Sequence, residues 1–135
     1  MRADLPQSIR QMVSERAGGR CEYCRIPQLA TLHKHEPDHI LPIQHGGNSQ
    51  PDNLALACFR CNRYKGPNVG SYDDKPQKLV PFFNPRTQEW DDHFFFENFE
   101  IFPKTPEGFG TIKIFRVNDG ERVLERKSLM EANLW

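Results

Sequence analysis

The sequence predicts a small α+β fold: an N-terminal helix, a strand-loop-strand-helix (ββα) core stapled by cysteines, and an aromatic-rich C-terminal extension ending in a β-hairpin. Three observations predict it. Cysteines occur as two Cys-x-x-Cys pairs, Cys21/Cys24 and Cys58/Cys61, with 33 residues between the pairs. Two short strand-like runs, separated by a polar loop, lie in that interval. Near the end, residues 111–117 alternate apolar and polar before Asn118-Asp119-Gly120, a turn signal that precedes Arg122-Val-Leu-Glu125.

The elements follow in order. Ser8 with Gln11 three residues on has the form of a capping box, and Ile9, Met12 and Val13 keep a helical rhythm until Gly18-Gly19. This helix delivers Cys21. Residues Ala30 to Glu36 alternate as a strand does, and Pro37 to Pro42 interrupt the pairing, so the first strand ends near His39. Gln44 to Asn53 is too polar to build a core and reads as a surface loop; Leu54-Ala-Leu-Ala57 is the returning strand. After Cys58 no helix breaker occurs before Gly66-Pro67, which predicts one and a half to two helical turns. Residues 68–80 form a polar connection to Phe82-Phe83, Trp90 and Phe94-Phe95-Phe96.

At 135 residues, one domain spanning 1–135 is expected, with a core at 8–67 and an extension at 80–135 packed on it. Hydrophobic residues make up 37% and charged residues 27%, the balance of a soluble globular chain, and 11 prolines with 9 glycines predict much loop. No run approaches the roughly 18 apolar residues of a membrane span, and the first residues lack a signal peptide's apolar centre, so a cytoplasmic location is expected. Net charge is zero, but residues 1–68 sum to +3 and residues 69–135 to −3, which places the basic surface in the front half. In a reducing compartment, four cysteines at this spacing suit a closed tetrahedral zinc shell better than a disulfide or redox pair.

Asp38-His39-Ile40-x-Pro42, Gly46-Gly47, Asn53-Leu54, Cys58-x-x-Cys61-Asn62 and Lys65-Gly66 occur in one ordered run, and together they resemble the HNH endonuclease family with its ββα-metal (His-Me finger) fold. The resemblance covers residues 8–67, including the optional Cys-x-x-Cys pairs. It implies that His39 is the general base for attack of water on a DNA phosphodiester. It also implies that Asn53 holds the loop and orients that base, and that Asp38 and Asn62 hold the catalytic cation. Products would carry 5′ phosphates. Asn62 stands where members of the family have His or Asn, so this copy reads H-N-N rather than a literal H-N-H, and carboxylate with amide oxygen suits Mg²⁺ or Mn²⁺.

The ordinary imidazole pKa of about 6.5 leaves a histidine mostly neutral at physiological pH, as a base must be. Arg60, Arg63 and Lys65, on or just after the same helix, are expected at phosphate oxygens flanking the cut. His35 is read as a surface residue. Residues 80–135 are similar to a tail of stand-alone bacterial members of the family, in Phe83-Asn-Pro-Arg86, Trp90-x-x-His93-Phe94 and Thr105-Pro-x-Gly108. In that tail Arg86 and His93 are candidates for substrate contact, and the aromatics are expected to supply core. The competing reading is a non-catalytic zinc-ribbon module that binds nucleic acid or protein, but such a module has no need of Asp38, His39, Asn53 and Asn62 at these positions. DNA against RNA, nicking against double-strand cleavage, sequence preference and oligomeric state all stay open, because phosphate chemistry names neither sugar nor sequence.

Overall fold

The computed structural model describes residues 4–73 and 78–135. The chain runs through α1 (Gln7–Arg16), β1 (Glu36–His39), β2 (Leu54–Ala57), α2 (Phe59–Lys65), β3 (Gly70–Tyr72), β4 (Leu79–Pro81), α3 (Trp90–His93), β5 (Phe94–Glu97), β6 (Glu100–Pro103), α4 (Pro106–Phe115) and α5 (Gly120–Glu131). Among the described residues the strands pair antiparallel as three two-stranded ribbons, β1-β2, β3-β4 and β5-β6. The α+β class and the ββα core are as the sequence predicts, and residues 80–135 contribute to the same apolar cluster as the core. No helix among the described residues is long and apolar enough to cross a membrane.

Strand β2 organises the core because all four of its residues are buried and successive side chains point to opposite faces. Leu54 and Leu56 meet Val13 of α1, with Ile9 and Met12 packed around them. Ala55 and Ala57 face the larger cluster, where Tyr23, Phe82, Phe83, Trp90, Phe94 and Phe115 surround the cysteines. The small alanines leave room for this aromatic layer. Trp90 locks it by donating its indole N–H to the Tyr23 carbonyl at 2.8 Å. The aromatics of the extension therefore supply the interior that a short ββα unit lacks.

Four expectations are corrected. Strand β1 begins at Glu36 rather than Ala30, because β2 offers only four residues to pair, from Glu36↔Ala57 to His39↔Leu54. Ser8 does not cap α1, whose N-cap is Pro6 with no side-chain hydrogen bond. The connection at 68–80 carries the β3-β4 pair, and residues 74–77 of it lie outside the described residues. The terminal hairpin is replaced by helices α4 and α5.

Helix wins at 106–115 because the start is written chemically: Thr105 Oγ1 accepts the Gly108 N–H at 3.1 Å and Pro106 occupies the first turn. Gly108, Thr111, Ile112 and Phe115 then recur at helical spacing, a set that seven alternating residues conceal. A Cβ at Gly108 would stand 2.4 Å from the His93 carbonyl oxygen, so only glycine lets this helix lie against α3. Asn118-Asp119-Gly120 turns between two helices, and α5 buries Arg122 and Arg126, four residues apart on one face.

Candidate active site

The cysteines form a closed knot. Cys21 and Cys24 sit on the loop after α1, and Cys58 and Cys61 on the first turn of α2. All four are buried and free, and their sulfurs lie within 4.8 Å of one another, Cys24 and Cys58 at 3.7 Å. Zinc bound at about 2.3 Å in tetrahedral geometry sets sulfurs about 3.8 Å apart. Backbone N–H groups of Cys24 and Cys61 point at the sulfurs of Cys21 and Cys58, at 3.5 and 3.4 Å. Burial pushes the Cys21 and Cys61 thiols well above their ordinary range, while hydrogen bonds from the three neighbouring cysteines draw Cys24 well below it. Four thiolates can share this dry space only around a cation, and the donor set fits structural zinc.

Arg122 of α5 completes the knot, donating to Cys61 Sγ at 3.2 Å and to Cys58 Sγ at 3.8 Å while also bonding the Phe115 carbonyl at 2.7 Å. Its charge opposes the net negative charge of a zinc tetrathiolate. Thiolate charge raises its pKa against the opposing cost of burial, which is the larger single effect. Sequence reasoning missed Arg122, since 60 residues separate it from Cys61 and nothing local marks it.

Between β1 and α2 opens a second, different site. A cleft of about 450 Å³ is lined by Asp38, His39 and Asn62, with Pro37, Pro42 and Gly66 among its other walls. In the β1-β2 register Asp38 stands beside Ala55 and His39 beside Leu54, so the two side chains leave opposite faces of the ribbon. They meet one cleft because it lies at the strand's end. Asp38 is 6% exposed and His39 half-buried.

Asp38 is held by two groups. Tyr23 Oη donates to its Oδ2 at 2.8 Å, and Lys65 Nζ contacts its Oδ1 at 3.3 Å. Lys65 also donates to the His39 carbonyl at 2.9 Å, so one ammonium bridges the neighbouring residues. Burial raises the Asp38 pKa above its ordinary value, opposed first by Lys65 and then by Tyr23. The Tyr23 phenol is pushed well up by burial and by the adjacent carboxylate, which keeps it a donor.

His39 Nε2 lies 2.9 Å from Ser49 Oγ, a contact that fixes the ring. The loop carrying Ser49 is tied down by Asn53: its amide donates to the carbonyls of Leu41 at 3.0 Å and Asn48 at 2.7 Å, and its oxygen accepts the Leu41 N–H at 2.9 Å. Asn53 thus spans the loop from both sides. Gly47 permits the close passage, because a Cβ there would stand 1.7 Å from the Leu41 carbonyl oxygen. His45 adds a tie to the end of α2 through the Pro67 carbonyl, at 3.0 Å.

Of the expected phosphate contacts, Arg63 is exposed beside Asn62, but the other two point elsewhere. Lys65 is 2% exposed and turned inward to Asp38. Its position four residues after the buried ligand Cys61 is the signal that could have placed it, since that spacing puts both on one helix stripe. Arg60 faces α5, pairing with Glu125 at 3.5 Å and Glu121 at 3.8 Å. His35 is buried against the Ile26 carbonyl rather than on the surface. Arg86 pairs with Glu22, and His93 lies buried against Thr105 at 2.6 Å, so both serve packing in this arrangement.

The HNH endonuclease family model matches residues 21–68, the segment that holds both the knot and the cleft. Comparison with curated proteins and with solved structures gives no match.

Proposed function

We propose, on the premise of the HNH endonuclease family match at residues 21–68, that the chain is a metal-dependent endonuclease hydrolysing DNA phosphodiester bonds, with His39 as general base. The observation that carries this reading is one cleft shared by Asp38, His39 and Asn62, which come from two elements more than 20 residues apart. A zinc module that only binds has no need for this convergence.

The donors suit a hard cation. An ionised carboxylate has about four acceptor positions, and Tyr23 and Lys65 use two of those on Asp38. Asn62 of α2 lines the same cleft and offers an amide oxygen, and an octahedral Mg²⁺ or Mn²⁺ would keep its remaining positions for water and phosphate. When bound, such a cation supplies charge stabilisation for the phosphorane and the leaving oxygen. Asp38 and Asn62 are the residues that would hold it.

The imidazole of His39 removes a proton from the attacking water, and Ser49 holds the ring in the orientation this needs. Asn53 keeps the loop of Ser49 in place. Lys65 offsets part of the burial cost of ionising Asp38 and fixes the backbone of His39.

The test is plasmid nicking by zinc-loaded protein with Mg²⁺, with Mn²⁺ and with neither, alongside His39→Ala. Nicking should require the added cation, cease with excess EDTA, and fall by about 10²–10⁴ in His39→Ala. Equal activity in the variant would remove His39 from its role.

A further inference from the structure

Phe59, Asn62 and Arg63 occupy positions i, i+3 and i+4 of α2 and so share one face. On that face a second hollow, of about 500 Å³, adjoins the cleft at Asn62 and is lined by His33, Lys34, Glu36, Phe59, Asn62 and Arg63. Phe59 is 48% exposed although it is a large apolar side chain. His33 lies on it in a stacked pair, centroids 4.5 Å apart and planes at 23°. Among the described residues neither Lys34 nor Arg63 has an ion-pair partner, whereas Glu36 is neutralised by Arg10 at 2.6 Å. An exposed aromatic stack flanked by two uncommitted cations has the composition of a single-strand platform: rings take the faces of bases, cations take phosphates.

We propose that the Phe59-His33 ledge stacks an unpaired base of the strand being cut, with Lys34 and Arg63 on its phosphates, so that gapped, flapped or single-stranded nucleic acid is preferred over intact duplex. Paired bases already stack on their neighbours and offer no free face. Asn62 lies three positions along the helix from Phe59, a rise of about 4.5 Å, comparable to the roughly 3.4 Å between stacked bases. The stacked base is therefore one or two nucleotides from the scissile phosphate, whose position rests on the nuclease reading above.

The experiment measures binding and cutting separately. Binding uses zinc-loaded full-length His39→Ala, with and without Phe59→Ala, against a labelled 12-nucleotide strand, a gapped duplex and an intact duplex of the same sequence. Strand and gapped duplex should bind about tenfold tighter than intact duplex, and Phe59→Ala should erase that difference. Phe59→Trp should preserve it. Replacing Lys34 or Arg63 by glutamine should lower the salt slope of strand binding by about 0.7 each. Equal affinity for all three nucleic acids, or Phe59→Ala binding like its parent, overturns the ledge. Cutting uses wild type and Phe59→Ala on gapped and supercoiled DNA with Mg²⁺. Cutting indifferent to both the gap and the substitution removes the ledge and leaves the nuclease. Strand preference without any cutting removes the nuclease and leaves the ledge as a strand-binding site.

Discussion

The cysteine knot and the cleft of Asp38, His39 and Asn62 lie at opposite ends of β1 and β2 and use the same helix α2, yet they are built to opposite rules. The knot is sealed: four sulfurs, two backbone N–H donors and the Arg122 guanidinium are buried. The cleft keeps one buried carboxylate at its base and a half-exposed imidazole and amide at its mouth. The difference teaches where substitutions should act. Groups of the knot are almost wholly buried, so changing them should cost folding. Groups at the mouth of the cleft are held by a few hydrogen bonds, so changing them should cost chemistry and spare the fold.

The sharpest division comes from the largest effect. Cys58→Ser should lose stoichiometric zinc and the cooperative melting transition together, since structural zinc contributes on the order of 10 kcal/mol to folding in small metal domains; metal analysis and circular dichroism on the same sample check this. A folded, zinc-free Cys58→Ser protein would break the comparison. His39→Ala should behave in the reverse way, with nicking down by about 10²–10⁴ and the melting temperature within a few degrees of wild type.

Lys65 sharpens the boundary, because it is buried like a knot residue but serves the cleft. Lys65→Met leaves the Asp38 carboxylate without its cation and should destabilise by about 3–5 kcal/mol, read from urea unfolding. The penalty should depend on pH. In the native protein burial already lifts the Asp38 pKa, so ionised Asp38 opposes folding, and the stability present below the unfolded carboxylate pKa is lost as pH rises through the folded one. Removing Lys65, which pulls that pKa down, should move the loss to higher pH and enlarge it.

Smaller effects remain at the edges of each site. Arg122→Leu should weaken zinc retention by about 10–100-fold in a chelator competition, as loss of an outer partner of a metal ligand does. Ser49→Ala removes one hydrogen bond from the His39 ring and should lower kcat several-fold without altering zinc content.

Much of the site was legible in the sequence because its signals are local. The two Cys-x-x-Cys pairs bring their own geometry, each closing a turn in which a backbone N–H meets the first sulfur. The spacing Asn53 to Leu54, ahead of four buried residues, places that asparagine beside the loop it ties. The aromatic run after Phe82 announced a second layer of core, and it forms one. Less was legible where one pattern admits two periods: Thr111 to Val117 alternates as a strand would, but its cap and its contact with α3 make it helix.

What the sequence by itself determined was the set of groups: a four-sulfur cluster, an imidazole next to a carboxylate, and a loop held by an asparagine, all fixed by spacing along one short segment. What only the tertiary structure decided was which charges are turned inward. Lys65 faces Asp38 instead of solvent, Arg122 crosses from the last helix to the sulfurs, and His35 is sealed beneath a carbonyl. The reason is physical: a buried charge or polar ring is tolerated only where a partner waits for it, and those partners come from elements that adjoin only after the chain has folded.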